Sequence, residues 1–192
     1  MSIVPPTQLH HRVVGPDSPG SGGIPLVLLH GLMGFSANWG KIWPKFQADR
    51  PVLTLDQRGH GRSAKPENGY SPDHYADDLA SLLQHLGWRK IHLVGHSMGG
   101  RVAVRFASKH PGLLASLTLE DSGMESSPGR VAWIKKLLSS VPAPFANREA
   151  AKEFFASEYA SVPMLGGFLH ANLETKDGGK VEWKFHVPGM VE

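Results

Sequence analysis

The chain has 192 residues, 41% of them hydrophobic and 19% charged, with a formal net charge of +3 and no cysteine. That length suits one domain with a sizeable core, and the composition is that of an ordinary globular protein. The lack of cysteine excludes disulfides and thiolate metal sites, and the scattered Lys and Arg argue against a nucleic-acid stripe or a polybasic membrane segment. No apolar run reaches membrane-span length. Met1–Gln8 lacks the charged-then-apolar layout of a signal peptide, so a cytoplasmic or organelle-matrix location is expected.

In chain order, Gln8 to Val14 is predicted as a first strand. His10 and His11 are adjacent on it and point to opposite faces, so they cannot share a metal. Gly15–Gly23 reads as a flexible loop. Ile24–Leu29 is an almost unbroken apolar run, the mark of a central parallel strand covered on both faces. It leads into His30-Gly31-Leu32-Met33-Gly34, where the His30 side chain is expected only to pack. Ala37–Gln47 is predicted as a helix, with Trp39, Ile42, Trp43 and Phe46 on one face. Pro51–Leu55 is a second short apolar strand. Asp56-Gln57-Arg58-Gly59-His60-Gly61-Arg62-Ser63 follows, and its charges are expected to brace a tight turn rather than to react. Ser71-Pro72 starts a helix that Gly87 ends. Tyr75, Leu79, Leu82, Leu83 and Leu86 form its apolar face, with Asp77 and Asp78 expected in solvent.

Lys90–Val94 is a third apolar strand, and it runs into Gly95-His96-Ser97-Met98-Gly99-Gly100. A helix follows from Arg101. G-x-S-x-G between a strand and a helix predicts a nucleophile elbow, a strained bend that presents the Ser97 hydroxyl above the sheet edge. The first N–H groups of the helix have no intrahelical acceptor, so they can stabilise a developing oxyanion. Leu113–Leu119 is a further strand, ending in Glu120-Asp121-Ser122-Gly123. This alternation predicts an α/β fold, a mostly parallel doubly wound sheet with helices on both faces. His30, Asp56, Ser97 and Asp121 each follow a strand end, which places them on one rim.

Beyond Ser122 the pattern changes. Arg130–Ser140 and Asn147–Tyr159 read as helices, 161–173 is mixed, 176–180 is a turn and 181–187 alternates like a strand. The expected organisation is a core over 1–123 and a helical lid over 124–192. Trp133, Phe154, Phe155, Phe168 and Trp183 would form either an apolar acyl pocket or the core of the lid.

Together these motifs resemble the α/β-hydrolase superfamily. The chain is most similar to the small bacterial esterases and their mitochondrial relatives, through His30-Gly31-Leu32-Met33-Gly34, Asn38-Trp39 and Asp121 after the strand that follows the elbow. Gly59-His60 departs from the Asn before His that the subgroup often carries. The resemblance implies a serine hydrolase of carboxylic ester or thioester bonds that works through an acyl-enzyme. It implies Ser97 as nucleophile, Asp121 as the acid that orients a histidine, and the Leu32 and Met98 N–H groups as the oxyanion hole. It implies a small-molecule substrate with an apolar acyl group, and neither a metal nor an organic cofactor. In the superfamily the histidine follows a last strand beyond the lid. Here only His170 and His186 follow Asp121, both in the lid-like region, and the last strands are expected to be missing. The Asp121 strand would then be an open sheet edge through which the chain self-associates. The competing reading is a catalytically impaired form that serves as a binding or interaction module. A dehalogenase or epoxide hydrolase is disfavoured, because those relatives use Asp at the position of Ser97. A C–C bond hydrolase, a perhydrolase and a lyase stay open.

Overall fold

The unbroken apolar runs become neighbouring strands. In the computed structural model, which describes residues 3–16, 23–123 and 128–191, β2 (Leu26–Leu29) and β3 (Val52–Leu55) are buried at every position. With β1 (His11–Val14), β4 (Ile91–His96) and β5 (Leu114–Glu120) they form one sheet in the order β1-β3-β2-β4-β5. β1 is antiparallel to β3, and the other pairs are parallel. The register pairs Leu29 with Gly95 and His96 with Glu120, so β2, β4 and β5 finish side by side. β3 lies on one side of β2 and β4 on the other. That reversal of winding opens a crevice beyond the strand ends.

Alternate residues of each strand serve opposite faces. On one face α1 (Pro72–His85) packs against α2 (Met98–Lys109), which lies along β4 and β5. Tyr75, Leu79, Leu82 and Leu83 are buried on α1, as their spacing predicts. On the other face Leu26, Leu28 and Val52 cluster with Trp39, and Val14, Trp43 and Val94 pack around them. The helix expected over Ala37–Gln47 is instead two short 3₁₀ turns, Ser36–Trp39 and Trp43–Lys45. Pro44 cannot donate an N–H and biases Trp43 away from the helical region, while Gly40 weakens the turn before it. Only part of the expected apolar face is therefore buried: Trp39 is inside, Trp43 is half-buried, and Ile42 and Phe46 are exposed.

Asp78 does not face solvent. It is buried and forms a bidentate pair with Arg58, Nε to Oδ2 at 2.6 Å and Nη2 to Oδ1 at 2.7 Å. The Val4 N–H donates to Asp78 Oδ1 at 2.7 Å, and Arg58 Nη1 donates to the Gly69 carbonyl at 2.5 Å. Burial pushes the Asp78 carboxyl up, against the pull of the guanidinium. Asp77 is half-buried and meets Lys109 on α2.

The chain divides into two units, Met1–Ser126 with Pro188–Met190, and Ser127–Val187. The second unit holds α3 (Pro128–Ser140), α4 (Arg148–Glu158), α5 (Pro163–Ala171) and a hairpin of β6 (Leu173–Thr175) with β7 (Val181–Trp183). Asn147 caps α4, its Oδ1 accepting from the Ala150 N–H at 2.9 Å. Phe145 bridges to Val181 and lends its ring to a cluster with Phe154, Phe155 and Tyr159. Of the aromatics expected to form a pocket or a lid core, Phe155 is core of this unit, Phe154 packs edge-on to it half-buried, and Trp133 is exposed. The mixed stretch 161–173 is largely α5, begun by Pro163 in its first turn, and the expected strand 181–187 stops at Trp183. The expected loop lies outside the described residues at 17–22, as does the expected boundary at Met124.

Removing one partner of a buried ion pair strands the other charge, at a cost of roughly 3–5 kcal/mol. Asp78→Ala is therefore expected to lower the urea midpoint sharply, while Asp77→Ala shifts it by less than about 1 kcal/mol equivalent.

Candidate active site

The site is built on the turn between β4 and α2. Ser97 sits there at φ 52° and ψ −113°, a conformation that costs a non-glycine residue about 1–3 kcal/mol. Hydrogen bonds from three sides hold its backbone, the longest from the Arg101 N–H to the Ser97 carbonyl at 3.4 Å. The Ser97 N–H donates to the Glu120 carbonyl at 2.9 Å, and the Ser97 carbonyl accepts from the Gly100 N–H at 3.0 Å and the Ser122 hydroxyl at 2.9 Å. Packing closes the rest. A Cβ on Gly99 would lie 2.6 Å from the carbonyl oxygens of both Leu29 and His30, and one on Gly95 would strike the Gly99 carbonyl. Only glycine lets the first turn of α2 approach the end of β2 this closely. Among the described residues the Ser97 hydroxyl makes no hydrogen bond, and the Met98 N–H at the positive end of α2 has no protein acceptor.

The loop after β2 runs beside this turn. A Cβ on Gly31 would lie 2.8 Å from His96 Nδ1 and 3.2 Å from Ser97 Cβ, so the Gly31 backbone passes next to the serine. Gly34 N–H donates to the Gly31 carbonyl at 3.0 Å and closes a tight turn, with Met33 at φ 61°. The Leu32 N–H has no protein acceptor among the described residues. The His30 side chain does more than pack. It is buried, with Nε2 facing the Gln57 N–H at 3.0 Å and Nδ1 facing the Gly31 carbonyl at 2.8 Å. Gln57 Nε2 also donates to the His30 carbonyl at 2.8 Å.

The 56–63 loop is a brace, as its glycines and charges predict. Asp56 Oδ1 accepts from the Ser36 N–H at 2.7 Å and Oδ2 from the Arg62 N–H at 2.9 Å, so both carboxylate oxygens are engaged by backbone. The Ser63 hydroxyl donates to the Asp56 carbonyl and accepts from the His10 N–H at 2.8 Å. His60 Nδ1 lies 2.8 Å from the Arg58 carbonyl, and its ring stands edge-on to His30 at 4.9 Å between centroids. His60 Nε2 is buried with no partner among the described residues.

Asp121 is the first residue past β5, exposed and at φ 44°. Its neighbours Glu120 and Ser122 are the two residues bonded to the Ser97 backbone from β5 and its end, so Ser97 and Asp121 come together on the rim through their main chains. His170 and His186 belong to the second unit, where His170 lies against Phe155 at 5.9 Å with Nε2 unpartnered among the described residues. Sequence reasoning missed Gln57 and Ser122. The density of the 56–63 motif was a signal for the first. For Ser122 there was none, because its role depends on where β5 ends. Among the described residues no group of three or more His, Asp or Glu could hold a metal, and no helix is long and apolar enough to cross a membrane.

Burial, chiefly, pushes His30 down to about 4 and His60 down to about 3, with the neighbouring His30 ring adding to the second. Both are therefore neutral near pH 7. In the unfolded chain they take up protons near 6.5, so stability is full above that value and falls as pH drops toward 4. For His30 the difference corresponds to roughly 3 kcal/mol. Asp78 acts in the opposite sense, its raised carboxyl favouring the folded state in acid. Urea unfolding is expected to show a flat free energy from pH 7 to 8 and a steep loss between 6.5 and 4. His60→Asn, which keeps a donor for the Arg58 carbonyl, should make that slope shallower.

Comparison with known proteins agrees with this geometry. A family model of the alpha/beta hydrolase fold matches residues 24–166. The chain is 33% identical over 151 residues to 2-(acetamidomethylene)succinate hydrolase of Mesorhizobium japonicum, covering 75% of this chain and 51% of that one. It is 30% identical over 190 residues to lipase LipV of Mycobacterium tuberculosis, covering 95% and 69%. It is 45% identical over 100 residues to the dihydrolipoyllysine-residue acetyltransferase component of the acetoin cleaving system of Pseudomonas putida, covering 52% and 27%. Among solved structures, a marine microorganism esterase superposes with a TM-score of 0.81 at 29% identity, over 95% of this chain and 70% of that one. The chain thus spans about half of the succinate hydrolase and about a quarter of the acetyltransferase component. With the elbow between β4 and α2, the loop beside it, and a match that runs from before β2 into the second unit, this chain belongs to the α/β-hydrolase fold family.

Proposed function

We propose that this chain carries the acyl-transfer site of a serine hydrolase acting on carboxylic ester or thioester bonds. The observation that carries this reading is Ser97, held at φ 52° on the β4–α2 turn with the Gly31 backbone beside it, together with Leu32 and Met98 N–H groups that have no protein acceptor among the described residues. In the reaction, Ser97 Oγ bonds to the carbonyl carbon and gives its proton to a base. The carbonyl oxygen becomes an oxyanion between the Leu32 and Met98 N–H groups, each donor worth about 3–4 kcal/mol in such sites. The alcohol or thiol then leaves, and water releases the acyl group from Ser97. Asp121 is the carboxylate on the rim placed to orient a histidine. The substrate is a small ester or thioester with an apolar acyl group, a reading supported by the names lipase and esterase among the relatives. The second unit is the part of the chain that this reading takes as the lid region.

The competing reading, a binding module, draws on one observation: no histidine is bonded to the Ser97 hydroxyl among the described residues. Hydrolysis of a short p-nitrophenyl ester separates the two. Activity is expected in the wild type, lost at least 100-fold in Ser97→Ala and reduced in Asp121→Asn, with circular dichroism unchanged. A folded wild type no faster than Ser97→Ala supports the binding module.

We also propose that the outer edge of β5 pairs with a second copy of this chain. Among the described residues β4 is the one strand that pairs with β5, and β5 is exposed or half-buried throughout. Its one charge is Glu120, and an antiparallel register centred on Leu117 sets Glu120 against Leu114, so no like charges face each other. Sedimentation velocity is expected to show a dimer or larger species that Thr118→Lys shifts to monomer. A wild type that sediments as a monomer at tens of micromolar rejects the pairing.

A further inference from the structure

The Gly31–Leu32 peptide is gripped from one side only. Its carbonyl receives the Gly34 N–H at 3.0 Å and faces His30 Nδ1 at 2.8 Å. The same peptide unit carries the Leu32 N–H, which has no protein acceptor among the described residues. A peptide is planar, and this one is trans, so its C=O and N–H point in opposite directions. Whatever holds the carbonyl therefore aims the N–H. This matters because residue 31 is glycine. A Cβ there would crowd His96 and Ser97, yet glycine leaves the peptide plane free to swing.

We propose that His30 is the positioning residue that fixes the direction of the Leu32 N–H, its Nδ1–H holding the Gly31 carbonyl so that the shared peptide plane turns the N–H toward Ser97. The proposal rests on the reading of Leu32 as an oxyanion donor. The proton must be on Nδ1 for the grip to exist, and the surroundings put it there. The Gln57 N–H donates to His30 Nε2 at 3.0 Å, so Nε2 holds the lone pair and Nδ1 the hydrogen. Gln57 Nε2 bonds the His30 carbonyl at 2.8 Å and fixes the residue at its other end. His60 closes the ring in edge-on at 4.9 Å between centroids. The 56–63 loop thus acts on the site through the tautomer and orientation of one buried ring.

The direction of an N–H is read by its residual dipolar coupling in a weakly aligned, ¹⁵N-labelled sample. In His30→Phe the Leu32 coupling is expected to change while couplings along α1 and α2 stay as in the wild type. In His30→Asn, whose side-chain amide can donate from the place of Nδ1, it is expected to return. An unchanged Leu32 coupling in His30→Phe overturns the proposal. So does a coupling that stays displaced in His30→Asn while α1 and α2 match the wild type. Should His30→Phe not fold, the long-range ¹H–¹⁵N spectrum of the wild-type imidazole decides: the Nδ1–H tautomer is expected, and Nε2–H overturns it. In the p-nitrophenyl ester assay kcat should fall about 10- to 100-fold in His30→Phe with KM within twofold, and recover in His30→Asn. Absence of Ser97-dependent hydrolysis in the wild type would count against the hydrolase reading, while the dipolar couplings would still decide the aim of the N–H.

Discussion

Everything at this site depends on how closely the first turn of α2 approaches the end of β2. Gly99 faces the Leu29 and His30 carbonyls at a distance that no side chain tolerates, and that approach sets the bend on which Ser97 is strained. A serine at φ 52° would relax by a few kcal/mol if released. It is not released, because its N–H is tied to Glu120 and its carbonyl to Gly100 and Ser122. The strand on one side, the helix on the other and the end of β5 each hold one part of a single residue. The position of the half-buried Ser97 follows from these backbone constraints.

The second organising feature is a polar interior where an apolar one would be simpler. Arg58, Asp78, Asp56, Gln57, His30 and His60 are all buried near the ends of β2 and β3. Desolvating such groups is expensive, and a buried pair such as Arg58–Asp78 is weak support for net stability. Its geometric value is clearer. Both carboxylates and the His30 ring accept from named backbone N–H groups: Ser36 and Arg62 on Asp56, Val4 on Asp78, Gln57 on His30. Loops carry backbone groups that β-ladders do not satisfy, and here buried side chains satisfy them. These hydrogen bonds tie the loops to buried side chains, which suits a site requiring fixed donors.

What was legible in the sequence was whatever depends on local periodicity or on spacing. The apolar runs gave β2, β3 and β4, the spacing of Tyr75, Leu79, Leu82 and Leu83 gave α1, and strand-turn-helix around G-x-S-x-G gave the bend at Ser97. The misreadings share a different cause. Ile42 and Phe46 keep helical spacing, but Gly40 and Pro44 forbid the helix that would bury them. Asp78 lies next to the half-buried Asp77, and only the fold shows that Arg58 waits on the other side. His30 seemed inert because its partners come from residue 57, across a strand. Long-range hydrogen bonds leave no periodic trace, so the brace could be recognised from its residue types but not its connections.

Acyl transfer needs two separable things: donors fixed where the oxyanion forms, and a base for the serine proton. The proposed site divides along that line. On that reading the donor half would lie in the loop after β2 and at the start of α2, both local to the sheet. The base is the part not found among the bonds of Ser97, and it need not be local, since a histidine can be supplied from any element that reaches the rim. Removing a triad member elsewhere leaves about 10³–10⁴-fold acceleration over water, from the oxyanion hole and binding alone. A site with its donors in place is therefore chemically distinct from an inert pocket even before its base is counted. In the proposed site such a residual rate would depend on the aim of the Leu32 and Met98 N–H groups. One is fixed by a helix and the other by a glycine peptide, which cannot fix itself.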